Sequence, residues 1–337
     1  LDEDEKRGFA LKINQDGQLT ALVGNGQLLN QLCLGTILKE RNWYQVWMSF
    51  DANSGELQVG QSILGTNRED RDFVGRKKNC SFLSTRAGDC LGIAAQVGKK
   101  AKEHFNGKLE TPGVCDRALS ADEMTQCFDG IPLSGRVAHW DFSQEMSTSK
   151  IIDISSNQLH GELVNAPTRA MTGCNWTGRE MCWRHSPSEY GAIHFHDDDI
   201  YDFEWETDFQ FIVPENLPSG IYAVKLFNKK NEFYIPFCVR PKIGFRKNKI
   251  LFLMPTSSYL AYANNRIALD VPETETVCAR LIEINEHDLY LQENPEVGLS
   301  FYDVHNDGSP VFYSSKRRPI LNFQPKVRGV LGGLGSN

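Results

Sequence analysis

Two tyrosine-bearing stretches carry the residues best suited to chemistry: Tyr259-Leu260-Ala261-Tyr262-Ala263-Asn264 and Gly298-Leu299-Ser300-Phe301-Tyr302-Asp303-Val304-His305-Asn306-Asp307-Gly308-Ser309. Between them they offer phenol, imidazole and carboxylate. The chain has neither the GxSxG pattern of a serine hydrolase nor the GxxxxGK[ST] pattern of a phosphate-binding loop, so those two chemistries are set aside. A phenolate is a hard anionic ligand suited to ferric iron, and ligation expels its proton despite a free pKa of about 10. The same tyrosines would serve equally as aromatic packing with a hydroxyl hydrogen bond, and spacing alone leaves both readings open. A second collection of donors is His194-Phe195-His196-Asp197-Asp198-Asp199. In a strand His194 and His196 face the same side, which leaves a two-histidine metal site geometrically open, although the aspartates also suit a solvated strand end. His139-Trp140-Asp141 reads as a buried hydrogen-bonded pair rather than a catalytic dyad.

The elements that must position these groups follow from local pattern. Ile250-Leu251-Phe252-Leu253-Met254 is a continuous apolar run, as expected of a strand covered on both faces of a parallel α/β sheet. The polar loop from Pro255 to Tyr259 then lies at its carboxyl end, where active sites of open α/β sheets sit. A third domain therefore begins near residue 245. It reads as cut off, because the chain stops at Val330-Leu331-Gly332-Gly333-Leu334-Gly335-Ser336-Asn337 and lacks an initiator Met.

Upstream, short β-prone runs alternate with turn signals over the first 120 residues. The runs are Phe9–Ile13, Gln18–Val23, Trp43–Phe50, Glu56–Gly60 and Leu91–Val97. Asp16-Gly17, Gly24-Asn25-Gly26 and Asn53-Ser54-Gly55 punctuate them. This spacing predicts a β-sandwich, with the aromatic Trp43–Phe50 run as a central strand. Ser120 and Glu123 form a capping box that opens a short helix through about Phe128. Residues 131–244 continue as β structure, and Gly220-Ile221-Tyr222 has the placement of the tyrosine corner of an immunoglobulin-like sandwich.

Composition narrows the function class. The 337 residues carry 36 Lys+Arg against 43 Asp+Glu, a net charge of −7 that repels nucleic acid and anionic membrane alike. No stretch of about 18 apolar residues occurs, and the first nine residues do not read as a secretory signal, so a soluble cytoplasmic protein is expected. The nine cysteines lack a CxxC pair and are expected to be reduced core thiols.

The Trp-rich run before Asp51-Ala52-Asn53-Ser54-Gly55, with the later FNGKL and DRALSADEM segments, resembles the laminin-G-like or concanavalin-like jelly-roll module. Over roughly residues 40–337 a longer ordered set resembles the large (beta) subunit of the N,N-dimethylformamidase family. It comprises VAHWDFS, IIDISSNQLHGELVNAPTRAMTGCNW, AIHFHDDDIYDFEWETDF, LPSGIYAVKL, FCVRP, ILFLMPTSSYLAYAN and GLSFYDVHNDGSPVFYSSKRRPILNFQP. That resemblance implies a mainly β chain with an α/β part: a laminin-G-like sandwich over 1–130, a second β-rich domain over 131–244, and a partial α/β catalytic domain over 245–337. It also implies a mononuclear iron, as Fe(III), held by two tyrosines and a glutamate with a histidine nearby. Carried over by position, the tyrosines are Tyr262 and Tyr302, with Tyr259 as fallback for the first. The glutamate and histidine are expected beyond Asn337. Asp303, His305 and Asp307 are candidates to support the ligands from behind. The implied reaction is hydrolysis of a small tertiary formamide to formate and an amine, in an assembly with a small (alpha) subunit and other large subunits. The alternative is a carbohydrate- or protein-binding sandwich scaffold without catalysis of its own.

Overall fold

The computed structural model describes residues 1–324 apart from 3, 66–71, 83–87, 99, 129, 245–248, 267–272, 274, 277–278, 280, 282–283 and 285. Cys278 and the chain end at Val330–Asn337 lie outside the described residues. The chain is mainly β, with several antiparallel sheets and short helices, and it divides into two compact units. The first comprises Leu1–Leu163 and Arg169–His194, the second Val164–Thr168 and Phe195–Asn337.

In the first unit, β1 (Arg7–Ile13), β2 (Gln18–Asn25) and β3 (Leu29–Ile37) form one three-stranded sheet in that order. β4 (Tyr44–Asp51), β5 (Glu56–Ile63) and β6 (Asp72–Lys77) form another. The turns are made by short side chains that satisfy backbone donors: Asn14 Oδ1 accepts from the Asp16 and Gln18 amides at 3.0 and 2.9 Å, and Asp51 Oδ1 from the Asn53 amide at 2.9 Å. Leu19, Ala21 and Val23 of β2 and Leu57 and Val59 of β5 share one buried core with Cys80. Each large aliphatic side chain buried there contributes about 1.5–3 kcal/mol. The aromatic run is the edge strand β4, not a central one: β5 lies between its two neighbours and holds the buried positions. What the aromatics of β4 report is a close fit to β5. Trp47 stands opposite Gly60, where an added Cβ would come within 2.4 Å of the indole.

β7 (Gly107–Glu110) pairs in a sheet of order β12 (Thr168–Met171), β13 (Ala192–Phe195), β7. A four-stranded sheet has the order β11 (Gly161–Glu162), β10 (Lys150–Asp153), β9 (Arg136–Asp141), β8 (Gly113–Cys115). The capping box forms: the Glu123 amide donates to Ser120 Oγ at 3.3 Å, the Ser120 amide to Glu123 Oε2 at 2.9 Å, and α1 runs Ala121–Phe128. The Leu91–Val97 run is not a strand. Its only ladder contact among the described residues is an isolated Gln96–Lys102 bridge, and Leu91 and Val97 are exposed. Arg169 is buried, with its guanidinium donating to the carbonyls of Phe142, Gln144, Glu145, Thr148 and Lys150 at 2.8–3.0 Å.

The second unit holds the hairpin β14 (Gly220–Phe227) and β15 (Glu232–Val239), then α2 (Thr256–Tyr262) and α3 (Glu286–Glu293). The tyrosine corner is present: Tyr222 Oη donates to the Pro218 carbonyl at 2.9 Å. Gln324 closes on the hairpin, accepting from the Tyr234 amide at 3.1 Å and donating to its carbonyl at 3.3 Å. The apolar run before Pro255 is not in a ladder. Ile250, Leu251, Phe252 and Leu253 are exposed, and no strand pairs with them among the described residues. An apolar run becomes a strand only where neighbours satisfy its amides and carbonyls.

All eight described cysteines are free thiols, but only Cys80 is buried, which corrects the expectation of core thiols. No described helix is long and apolar enough to cross a membrane.

Candidate metal centre

α2 begins after Pro255, with the Tyr259 amide donating to the Pro255 carbonyl at 3.2 Å, and ends at Tyr262. Asn264 then takes a left-handed φ of +63°, the conformation that asparagine tolerates at a helix end. Tyr302 sits in the turn that follows Gly298. Ser300 and Asp303 build that turn reciprocally: the Ser300 amide donates to Asp303 Oδ2 at 2.8 Å, and the Tyr302 amide to Ser300 Oγ at 3.1 Å. The two segments meet through the main chain, where the Phe301 amide donates to the Ala261 carbonyl at 3.1 Å.

This brings Tyr262 and Tyr302 together. Their rings stack with centroids 4.1 Å apart and planes 20° from parallel. Both remain open to solvent, at 38% and 54% exposure, so the phenol oxygens are within reach of a solute. The Tyr262 hydroxyl, and secondarily burial, hold the Tyr302 phenol above its ordinary value. Tyr259 is placed elsewhere, edge-on to Phe323 with ring centroids 6.0 Å apart.

Asp303 is buried and faces the backbone: besides Ser300 it accepts from the Arg266 amide at 3.2 Å, with Arg266 Nε at 3.8 Å. His305 and Asp307 belong to a different cluster. His305 Nδ1 pairs with Asp198 Oδ1 at 2.6 Å, and its ring stacks on His196 at 3.7 Å with planes 4° from parallel. His196 in turn contacts both Asp199 carboxylate oxygens at 3.3 Å and Ser309 Oγ at 3.0 Å, with Asp307 Oδ2 at 3.9 Å. Burial disfavours a charged His305, yet the bond to Asp198 outweighs it and raises the imidazole pKa. The donor atoms of His196, Asp199 and His305 lie within 4.8 Å of one another. An ion bound by both imidazoles must lie in both ring planes, and nearly parallel planes do not meet close to either ring. The arrangement is therefore hydrogen-bonded as it stands. His194, the other member of the proposed two-histidine site, is the last residue of the first unit and closes β13 with Phe195.

The expected His139–Asp141 bond is also replaced. His139 Nδ1 meets Arg136 at 2.7 Å, and its amide donates to Asp153 at 2.8 Å, while Asp141 holds Ser143 and Gln144. Burial opposes ionisation of Asp153, but amides from His139, Ser155 and Leu159 outweigh it and bring its pKa to about 2.

Sequence reasoning missed three buried residues around the tyrosines: Asn264, Arg318 and Asn322. Asn264 could have been found, since asparagine directly after a helical pattern is a C-terminal signal. Arg318 lies in the Lys316-Arg317-Arg318 run, which reads as a solvated basic surface.

The family described as N,N-dimethylformamidase beta subunit-like, C-terminal, matches residues 168–337, which include the whole tyrosine region. The chain belongs to this family. The N,N-dimethylformamidase beta subunit of Paracoccus aminophilus is 36% identical over 358 aligned positions, covering 99% of this chain and 47% of the relative. That of an Alcaligenes species is also 36% identical over 358 positions, covering 98% and 47%. The chain thus spans about half the length of the curated relatives it matches.

Proposed function

We propose that this chain supplies the phenol donors of a mononuclear iron site in an amide hydrolase that cleaves N,N-dimethylformamide, or a similar small formamide, to formate and an amine. The observation that carries this reading is the solvent-open Tyr262–Tyr302 stack. The donor set fits the group: two adjacent phenols become two hard anionic oxygens once their protons are displaced, which suits Fe(III). When bound, iron supplies Lewis acidity toward a carbonyl oxygen and lowers the pKa of water.

The chain's own residues hold and orient. Tyr262 is fixed at the end of α2, and Tyr302 by the Ser300–Asp303 turn, with the Phe301–Ala261 main-chain bond setting one against the other. Asp303 supports the turn rather than the hydroxyls, because its two oxygens are taken by backbone amides. A further anionic ligand and the base that moves the proton, a glutamate and a histidine, are expected from the family resemblance to lie beyond Asn337. A beta subunit-like chain is read as one member of a hetero-oligomer with a small alpha subunit and further large subunits, in the cytoplasm.

Iron loading of the assembled protein tests this. Wild type is expected to bind iron with a visible phenolate-to-iron absorption and to release formate from N,N-dimethylformamide. Tyr302→Phe and Tyr262→Phe are each expected to lose the absorption and at least about 100-fold in turnover, the scale of removing one charge-stabilising group. Stoichiometric iron without colour, or full turnover in either variant, would sink the assignment.

A further inference from the structure

Around the tyrosine pair, several buried side chains converge on the main chain of the two segments that carry it. Arg318 Nη2 donates to the Leu260 and Ala263 carbonyls, both at 2.9 Å, so one guanidinium edge closes the last turn of α2 on either side of Tyr262. Its other arm donates to the Ser315 carbonyl. Asn264, fully buried, reaches the Pro319 carbonyl through Nδ2 at 2.6 Å and the Gly298 carbonyl at 3.5 Å, while its Oδ1 accepts from the Leu321 amide at 3.0 Å. Asn322 Oδ1 completes the exchange by accepting from the Asn264 amide at 3.0 Å. Gly298 shows how tightly the parts fit. It has φ +112°, and a Cβ there would lie 2.8 Å from Arg318 Cδ, so the arginine stem occupies the space that any other residue's side chain would need.

We infer that Arg318 and Asn264 are positioning residues for the tyrosine pair, registering the end of α2 against the turn after Gly298 so that the two phenols stay stacked. The bonds to Leu260, Ala263 and Gly298 fall on the backbone that flanks Tyr262 and leads into Tyr302, while those to Ser315, Pro319 and Leu321 tie the same two side chains to the 315–321 segment. A planar guanidinium serves three carbonyls from a rigid, spread fork, whereas an ammonium places its three donors on a single freely rotating nitrogen. Similarly, an asparagine both tolerates the left-handed backbone and offers a donor and an acceptor from one rigid amide. The inference deepens the iron-site reading and rests on it for its consequence in metal binding. The juxtaposition itself can be tested without metal.

The test is photo-oxidation of the full chain with ruthenium tris-bipyridyl and persulfate, followed by peptide mapping of the dityrosine bond between Tyr262 and Tyr302. Each ring loses one hydrogen atom to the oxidant, and the two radicals couple carbon to carbon. Wild type is expected to give the 262–302 cross-link. Asn264→Gly keeps the left-handed backbone but removes all three side-chain bonds, and Arg318→Lys keeps charge but not the fork. In each, with circular dichroism unchanged, the cross-link is expected to fall about tenfold, the population change equivalent to about 1.4 kcal/mol. The visible iron absorption should weaken in parallel. Undiminished cross-linking in both variants overturns the inference. So does a loss that comes only with collapse of the circular dichroism, since the residues would then serve folding at large. Wild type that cross-links but takes up no iron sinks the metal reading and leaves the positioning role standing. A variant that cross-links normally yet loses iron sinks the positioning role alone.

Discussion

The Phe301 amide donates to the Ala261 carbonyl at 3.1 Å, so each tyrosine of the stacked pair is the chain neighbour of one end of a main-chain bridge. The phenol of Tyr262 therefore cannot shift far without moving Tyr302. Two long-range features, a helix end and a loop turn, are converted into one donor pair by a single backbone contact. The side chains around it hold that contact in place.

Asp303 is the first such side chain to test. Asp303→Asn keeps the shape but replaces one acceptor oxygen with an NH2 group facing a backbone amide, either that of Ser300 or that of Arg266. The expected cost is about 1–3 kcal/mol, because a buried donor is left without its acceptor. Urea unfolding should show this as a lower midpoint with an unchanged slope. An unaltered midpoint would mean that the turn does not depend on the carboxylate.

In the first unit Arg169 should matter more. Five carbonyls of the Phe142–Lys150 segment converge on its buried guanidinium. Arg169→Met leaves them without that donor, at an expected cost of about 3–5 kcal/mol, and Arg169→Lys should recover only part of it. Limited proteolysis is expected to cut first within 142–150 in both variants. Cleavage there at the wild-type rate would contradict this.

The parts of this architecture that were legible from sequence are those set by neighbouring residues. Ser120 with Glu123, Asp51 with Asn53, and Tyr222 with Pro218 all form contacts within four positions, and each was readable as a turn, a cap or a corner. Strands β1, β2, β5, β14 and β15 likewise carry their own alternation and turn signals. What failed depended on partners distant in the chain. The aromatic content of β4 gave its packing but not its edge position, and Ile250–Met254 had the composition of a strand without a ladder to join. The same limit applies around the tyrosines. Tyr262 and Tyr302 were picked out by residue type and by resemblance, whereas Arg318 meets the helix end across 55 residues or more, and nothing local to Lys316-Arg317-Arg318 marks one of its cations as buried.

Gly60 offers a test of the close fit between β4 and β5. A methyl group at this position would lie 2.4 Å from the Trp47 ring, and the indole has to move or the strands must separate. Gly60→Ala is therefore expected to destabilise by about 1–3 kcal/mol, the usual cost of overpacking. The double variant Gly60→Ala with Trp47→Leu should cost less than the sum of the two single changes, since removing the indole relieves the clash. Additive costs in a double-mutant cycle measured by thermal unfolding would show that the two positions do not press on each other.

The His305–Asp198 pair predicts how stability responds to pH. Around it lie the stacked His196 ring and the carboxylates of Asp199 and Asp307, so the local field favours a proton on imidazole. His305 has a folded-state pKa above its unfolded value, because the bond to Asp198 outweighs burial; its contribution is complete below about pH 6.5 and is lost as pH rises through the raised folded value. Asp198 has the opposite sign. Burial opposes its ionisation, the bond to His305 outweighs burial, and its contribution is present above about pH 3.9 and lost as pH falls through the lowered folded value. Between these limits wild type should show a plateau of stability with a decline on the alkaline side. Asp198→Asn is expected to lower the plateau by about 3 kcal/mol and to abolish the alkaline decline attributable to His305, because a neutral amide no longer favours the protonated ring. Guanidinium unfolding of both proteins from pH 4 to pH 9 would measure this. Parallel profiles with the same alkaline slope would show that the pair is not what couples the second unit to protons.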